Sequence, residues 1–139
     1  MEINKGLTVV NDFVFDPAEF SDSDKLWVLK YCLNLMADTG RFSEKLSDLI
    51  LNGETGGDID WGIHRWGDLT AIDYDIDEFE GYRAYMGPDE HRQGSEEDIE
   101  VYVDEDTLKK YLGVVCGWYI SRHPESAEEV AELRSKYNI

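Results

Sequence analysis

Positive charge is what this chain has least of for its size. Thirteen Lys and Arg face 31 Asp and Glu, leaving a formal net charge of −18. An excess of that sign repels nucleic acid and anionic membranes at long range and attracts basic proteins. Cysteine is scarce too. Cys32 and Cys116 each sit among apolar residues in helical-looking segments, and neither belongs to a C-x-x-C pair. Buried free thiols are therefore expected, and a zinc or redox role has no support. The three histidines, His64, His91 and His123, do not stand at metal-ligand spacing from one another. No apolar run reaches the roughly 20 residues of a membrane span. The opening MEINKGLTVVNDF does not read as a signal peptide, so the expected location is the cytoplasm. There is no serine in a G-x-S-x-G context and no glycine-rich phosphate loop.

What is present is a concentrated acidic stretch. Glu54 to Asp106 holds eighteen Asp and Glu against three Arg, and Asp68 to Glu80 holds six carboxylates and no base. The same stretch carries Trp61, Trp66, Tyr74, Phe79, Tyr82, Tyr85 and Tyr102. Disordered acidic tails are poor in aromatics, so this reads as a folded, negatively charged platform. From Leu69 to Asp77, Ile72, Tyr74 and Ile76 alternate with Asp73, Asp75 and Asp77. That period of two predicts a strand with a row of carboxylates on one face, about 6.5–7 Å apart. Such a row repels itself until a cation or a basic partner approaches.

At 139 residues, 42% hydrophobic and 12% aromatic, the chain has the size and composition of one folded domain, residues 1–139. Leu7 to Phe15 is β-rich and predicts a strand, or two short ones, ended by Asp16-Pro17. Ser21 or Ser23 caps a largely buried helix that runs through Leu26, Trp27, Leu29, Tyr31, Leu33 and Met36 to Gly40. Ser43 caps a second helix, which Gly53 closes. Glu54 to Gly67, with four glycines, is either a hairpin entry or a loop over the sheet edge. Further strands are expected at Tyr82–Met86 and Ile99–Val103, separated by a turn at Gly87-Pro88 and a polar loop from Asp89 to Asp98. In the second of these strands Ile99, Val101 and Val103 point inward, and Glu100 and Tyr102 outward. Asp104 or Asp106 caps a helix with the stripe Leu108, Tyr111, Leu112, Val115 and Tyr119, ended by His123-Pro124. Ser126 and Glu129 form a capping-box pair for a last helix. Segregated runs of helices and strands give an α+β fold, an antiparallel sheet packed with N-terminal and C-terminal helix pairs.

Candidate chemistry is thin. An EF-hand loop starting at Asp73 places Glu78 where glycine belongs and Ala84 where the last glutamate belongs. Starting at Asp58 puts Gly62 where an oxygen ligand is needed. His64, between acidic neighbours and with Trp61 and Trp66 nearby, allows a general acid–base role with Asp60 or Asp68. The bland alternative is a surface imidazole in a glycine-rich loop. No catalytic residue, metal set or cofactor is assigned.

The stretch VYVDEDTLKKYLGVVCGWYISRHPESAEEVAELRSKY and the glycine–acid–Trp run GGDIDWGI give the chain a family likeness. It resembles the immunity proteins of bacterial contact-dependent growth inhibition (CDI) systems, most closely those that neutralise ribonuclease toxins. The likeness covers most of the chain from Lys25 onward and rests on no catalytic signature. It implies a protein without enzymatic activity that binds the C-terminal nuclease domain of an incoming toxin and covers its active site.

Charge points the same way independently. A nuclease lines its cleft with Lys and Arg to hold a polyanion. Carboxylates that meet such a cleft speed encounter, and aromatic anchors slow dissociation. The expected partner surface comprises Asp58, Asp60, Asp68, Asp73, Asp75 and Asp77 with Trp61, Trp66, Tyr82 and Tyr85. The expected assembly is a monomer in a 1:1 heterodimer with the toxin, binding neither nucleic acid nor membrane. Two rivals share the composition: a nucleic-acid mimic aimed at a DNA-binding protein, and a small enzyme using His64.

Overall fold

The computed structural model describes residues 13–17, 26–57, 60–67, 76–91 and 96–139. The strands expected over Leu7–Phe15 and Leu69–Asp77 lie largely outside these residues. Phe13–Pro17 and Ile76–Phe79, which are described, are irregular rather than extended ladder.

Helix α1 (Trp27–Asp38) is the centre of the core. Val28, Leu29, Cys32, Leu33, Met36 and Ala37 are all buried, because apolar side chains occupy most of its circumference. The expected caps Ser21 and Ser23 lie outside the described residues. One buried polar residue on α1 has a structural task. Asn34 donates from Nδ2 to the Phe15 carbonyl at 2.8 Å and accepts from the Phe15 amide at 2.9 Å. Its amide thereby satisfies both main-chain groups of Phe15 as a neighbouring strand would.

Helix α2 (Phe42–Asn52) begins two residues earlier than the serine cap predicts. Ser43 sits inside the first turn, and Arg41 precedes the helix with no side-chain cap. The buried Phe42 ring packs on Tyr119 at 4.4 Å between centroids. Packing of that ring therefore fixes the entry, while Arg41 pairs with Glu44 along the exposed side. Gly53 then stops the helix at φ 81°, where a left-handed residue returns its amide to Leu49.

The sheet is an antiparallel meander in the order β1 (Glu54–Gly56), β2 (Trp61–Arg65), β3 (Tyr82–Met86) and β4 (Ile99–Val103). The glycine-rich stretch is thus a hairpin, the first of its two expected forms. After β3, Gly87 gives its amide to the Asp60 carbonyl at 2.6 Å, and Pro88 opens a short helix, α3 (Pro88–His91), where a turn and loop were expected.

Helix α4 (Glu105–Arg122) starts at Asp104, whose Oδ1 accepts from the Thr107 amide at 2.7 Å. His123-Pro124 ends it as expected, through a 3-10 turn over Pro124–Ser126 into α5 (Ala127–Tyr137). The expected capping box is not formed, because Ser126 makes no side-chain cap bond. The preceding 3-10 turn already engages the local amides, with Ser126 N bonded to His123 O at 2.9 Å. The architecture is α+β in a single domain: the antiparallel sheet packs against α1 and α2, and the C-terminal pair α4 and α5 packs on those two helices.

Register sorts the sheet into two faces. Trp61, Ile63, Tyr82, Ala84, Met86 and Val103 join α1, α2, α4 and Val130 of α5 in one core. Both thiols lie inside it as free cysteines. Burial pushes Cys32 up to about 12 and Cys116 up to about 11, so neither is a nucleophile.

Candidate functional site: the outer face of the sheet

The other face carries Gly62 and His64 from β2, Arg83 and Tyr85 from β3, and Glu100 and Tyr102 from β4. His64, Arg83 and Tyr102 lie in one row across three strands, and Gly62, Tyr85 and Glu100 in the next. Glycine at 62 is required sterically. A Cβ there would stand 2.8 Å from Tyr85 Cε1, so the Tyr85 ring lies across β2 only because that position is bare.

Arg83 is the hub. It is 2% exposed, yet it stands on the side of the sheet away from the helices. Its Nε donates to Glu100 Oε2 at 2.7 Å, its Nη2 to Asp98 Oδ2 at 3.4 Å, and its Nη1 lies 3.2 Å from His64 Nε2. Its guanidinium also stacks over the Tyr85 ring at 4.5 Å. A buried cation is tolerated when it is paired and hydrogen-bonded, and here both conditions hold. Tyr102 completes the carboxylate's shell by donating its hydroxyl to Glu100 Oε1 at 2.9 Å. Burial pushes the Glu100 carboxyl up, but the bonds from Arg83 and Tyr102 outweigh it and hold the group below its ordinary range. Phe79 stands edge-on to His64 and Trp66 at 5.7 Å each, and to Tyr102 at 5.0 Å.

His64 is neither a loop imidazole nor an acid–base candidate. It lies within β2 and is 1% exposed. Its Nδ1 faces the Arg65 carbonyl at 3.4 Å, and its Nε2 lone pair faces Arg83. Both contacts suit the neutral ring with the proton on Nδ1. Burial, followed by the Arg83 charge, lowers its pKa to about 4. Among the described residues no three His, Cys, Asp or Glu side chains come together as a metal set.

The expected partner residues divide into three groups. Asp58, Asp68, Asp73 and Asp75 lie outside the described residues. Asp60 and Trp66 are half-buried at the two ends of β2, and Asp77 is exposed beside Phe79. Trp61, Tyr82 and Tyr85 are buried: the first two point into the core, and the third lies beneath Arg83. These three support the surface from within and offer a partner little area. Composition singled them out as aromatics, without revealing which face they take.

The exposed group in that region is different. Tyr102 is 45% exposed, and around it stand the exposed carboxylates Asp77, Glu78, Glu80, Glu100, Asp104 and Glu105. The alternation of Ile99–Val103 already places Glu100 and Tyr102 outward, and that signal marks the site. A contrasting depression of about 550 Å³ lies on the helical side, with Tyr31, Trp118, Arg122 and His123 in its wall and Asp38 as its one acid among the described residues.

His64 is buried and neutral, both thiols are buried, and the exposed part of this face among the described residues is charged and aromatic, which suits a binding surface. The family model of CDI immunity proteins matches residues 25–133, and the chain belongs to that family. No curated protein matches it. CDI immunity proteins are inhibitors rather than enzymes, and the family implies a cognate CDI toxin as partner. No helix among the described residues is long and apolar enough to cross a membrane.

Proposed function

We propose that this immunity protein neutralises a basic nuclease toxin, acting in the cytoplasm as a monomer in a 1:1 complex. Its acidic middle segment covers the toxin's nucleic-acid cleft. One observation carries the reading: six exposed carboxylates of the acidic segment, Asp77, Glu78, Glu80, Glu100, Asp104 and Glu105, line the two depressions that flank the exposed Tyr102. Asp58, Asp60, Asp68, Asp73, Asp75 and Asp77 supply long-range attraction with Glu78, Glu80 and Glu100. Trp66 and Tyr102 supply desolvated contact, and Trp61, Tyr82 and Tyr85 hold the strands beneath them. A cleft built for a polyanion is complementary to such a surface.

The test is a stopped-flow measurement of association with the purified toxin domain, coupled to a nuclease assay. The association rate falls steeply as the Debye length shrinks from about 10 Å at 0.1 M salt to about 3 Å at 1 M. Dissociation changes much less, since it reports the desolvated anchors. An association rate that is flat over this range, or a toxin that cuts no nucleic acid, defeats the reading.

A further inference from the structure

The open face contains a depression of about 440 Å³ lined, among the described residues, by Ile76, Asp77, Glu78, Phe79, Glu100 and Tyr102. We infer that it receives an arginine side chain of the toxin. The inference rests on the toxin being the partner, and it does not need the toxin to be a nuclease.

Three features of the depression select the occupant. Among the described residues its lining has three carboxylates and no base, whereas the basin of about 560 Å³ on the other side of Tyr102 contains Arg65. Charge complementarity therefore favours a cation in the smaller basin. Its remaining walls are apolar or aromatic, which suits the methylene stem of a long basic side chain. Glu100 is already fixed, because Arg83 holds one oxygen and the Tyr102 hydroxyl the other. A partner that meets a fixed carboxylate loses less conformational freedom on binding than one that must order it.

Arginine fits better than lysine. Its planar guanidinium stacks on aromatic rings, bonds two carboxylates at once and is more weakly hydrated than an ammonium. The same face already uses this chemistry internally, where Arg83 stacks on Tyr85 while bonding Glu100 and Asp98. An incoming arginine over Tyr102, between Glu78 and Glu100, repeats that arrangement one row outward.

The experiment measures the affinity of the cognate toxin domain for three variants of the full chain. They are Asp77→Asn with Glu78→Gln, Tyr102→Ala, and a control with Glu128→Gln and Glu132→Gln on α5. All of these positions are exposed, and a melting curve confirms that each variant is folded. The first two weaken binding tenfold or more, and the control, with the same charge change, stays within twofold. A double-mutant cycle then pairs Tyr102→Ala with each toxin Arg→Ala and Lys→Ala substitution, and one arginine shows coupling of at least fivefold. The inference is overturned if the site variants stay within twofold of wild type, if the control loses as much as they do, or if the coupled residue is a lysine. Absence of nuclease activity in the toxin would remove the preceding proposal and leave this one to be decided on binding.

Discussion

The two faces of one sheet solve opposite problems with the same backbone. Val103 and Tyr102 are neighbours in β4, yet one is buried in the core and the other is nearly half exposed. On the helix side, apolar side chains exclude water, and stability comes from area removed from solvent. On the outer side, His64 and Arg83 are just as buried, but they are held by hydrogen bonds, ion pairs and ring contacts. Burial is similar at the two sites, and what replaces water differs. A truncated apolar side chain leaves a cavity that the core fills only in part, whereas a truncated polar one leaves partners that need water or a new bond.

Truncating each face in turn makes that difference measurable. Leu33 is fully buried in α1, so Leu33→Ala removes contacts and leaves a cavity, costing about 2–5 kcal/mol. Arg83→Met keeps much of the volume but leaves Glu100 and Asp98 without their cation. Those carboxylates are 36% and 43% exposed, so water can reach them. The loss is therefore smaller, about 1.5–3 kcal/mol, the range for hydrogen bonds to charged groups. Urea unfolding of both variants checks the order. An Arg83 variant that loses more than Leu33→Ala would mean that the open face, not the core, dominates stability.

The helix-side face is the more legible in sequence. The alternation over Ile99–Val103, the glycine stop at Gly53 and the His123-Pro124 break are local signals, and local geometry realised them. The open face depends on register, which no local pattern reports. His64 and Arg83 are nineteen residues apart and meet only because β2 and β3 pair as they do. Arg83 is one of three arginines in the acidic stretch, and nothing local distinguishes it from the other two or reveals its pairing. Period-two alternation separates Tyr85 from Tyr82 and Tyr102 from Val103 within their own strands, and it does not say which tyrosine is covered. Gly62, which faces it from β2, and the guanidinium of Arg83, two residues away in β3, bury Tyr85, and only the pairing of the strands brings the first of these to it. The Ser43 and Ser126 caps failed for a related reason. Phe42 packing and a 3-10 turn, neither visible as a capping pattern, set those two helix starts.

Acid separates the faces again, with a smaller effect. His64 keeps a pKa of about 4 in the folded chain, below the ordinary 6.5. Between those values the unfolded chain binds a proton that the folded chain refuses. Stability from this group is therefore complete above pH 6.5 and is lost progressively as pH falls toward 4. The depressed Glu100 carboxyl adds to the loss in the same direction below its ordinary value of 4.5. Unfolding free energies measured from pH 7 to pH 4 should fall less steeply for His64→Gln than for wild type. Equal slopes would assign the acid sensitivity to carboxylates alone and leave His64 silent.

The smallest expected change is at Tyr102, and it tests whether the open face is ordered by its own side chains before any partner arrives. Tyr102→Phe removes one hydroxyl from a ring that is already exposed, and the Phe79 contact remains available to it. Stability should stay within about 0.5 kcal/mol of wild type, because the bond lost joins two exposed side chains and water can replace it. The Glu100 carboxyl should nevertheless respond. It keeps the Arg83 bond to Oε2 and loses the hydroxyl at Oε1. Donation to the ionised form lowers a carboxyl pKa, so losing one donor raises it toward the ordinary value. A carbon-detected NMR titration of the Glu side chains reads this directly. A Glu100 pKa unchanged in Tyr102→Phe would show that the hydroxyl does not hold the carboxylate in solution. In that case the basin beside Phe79 would have a mobile wall, and the ordering cost would fall on the complex instead.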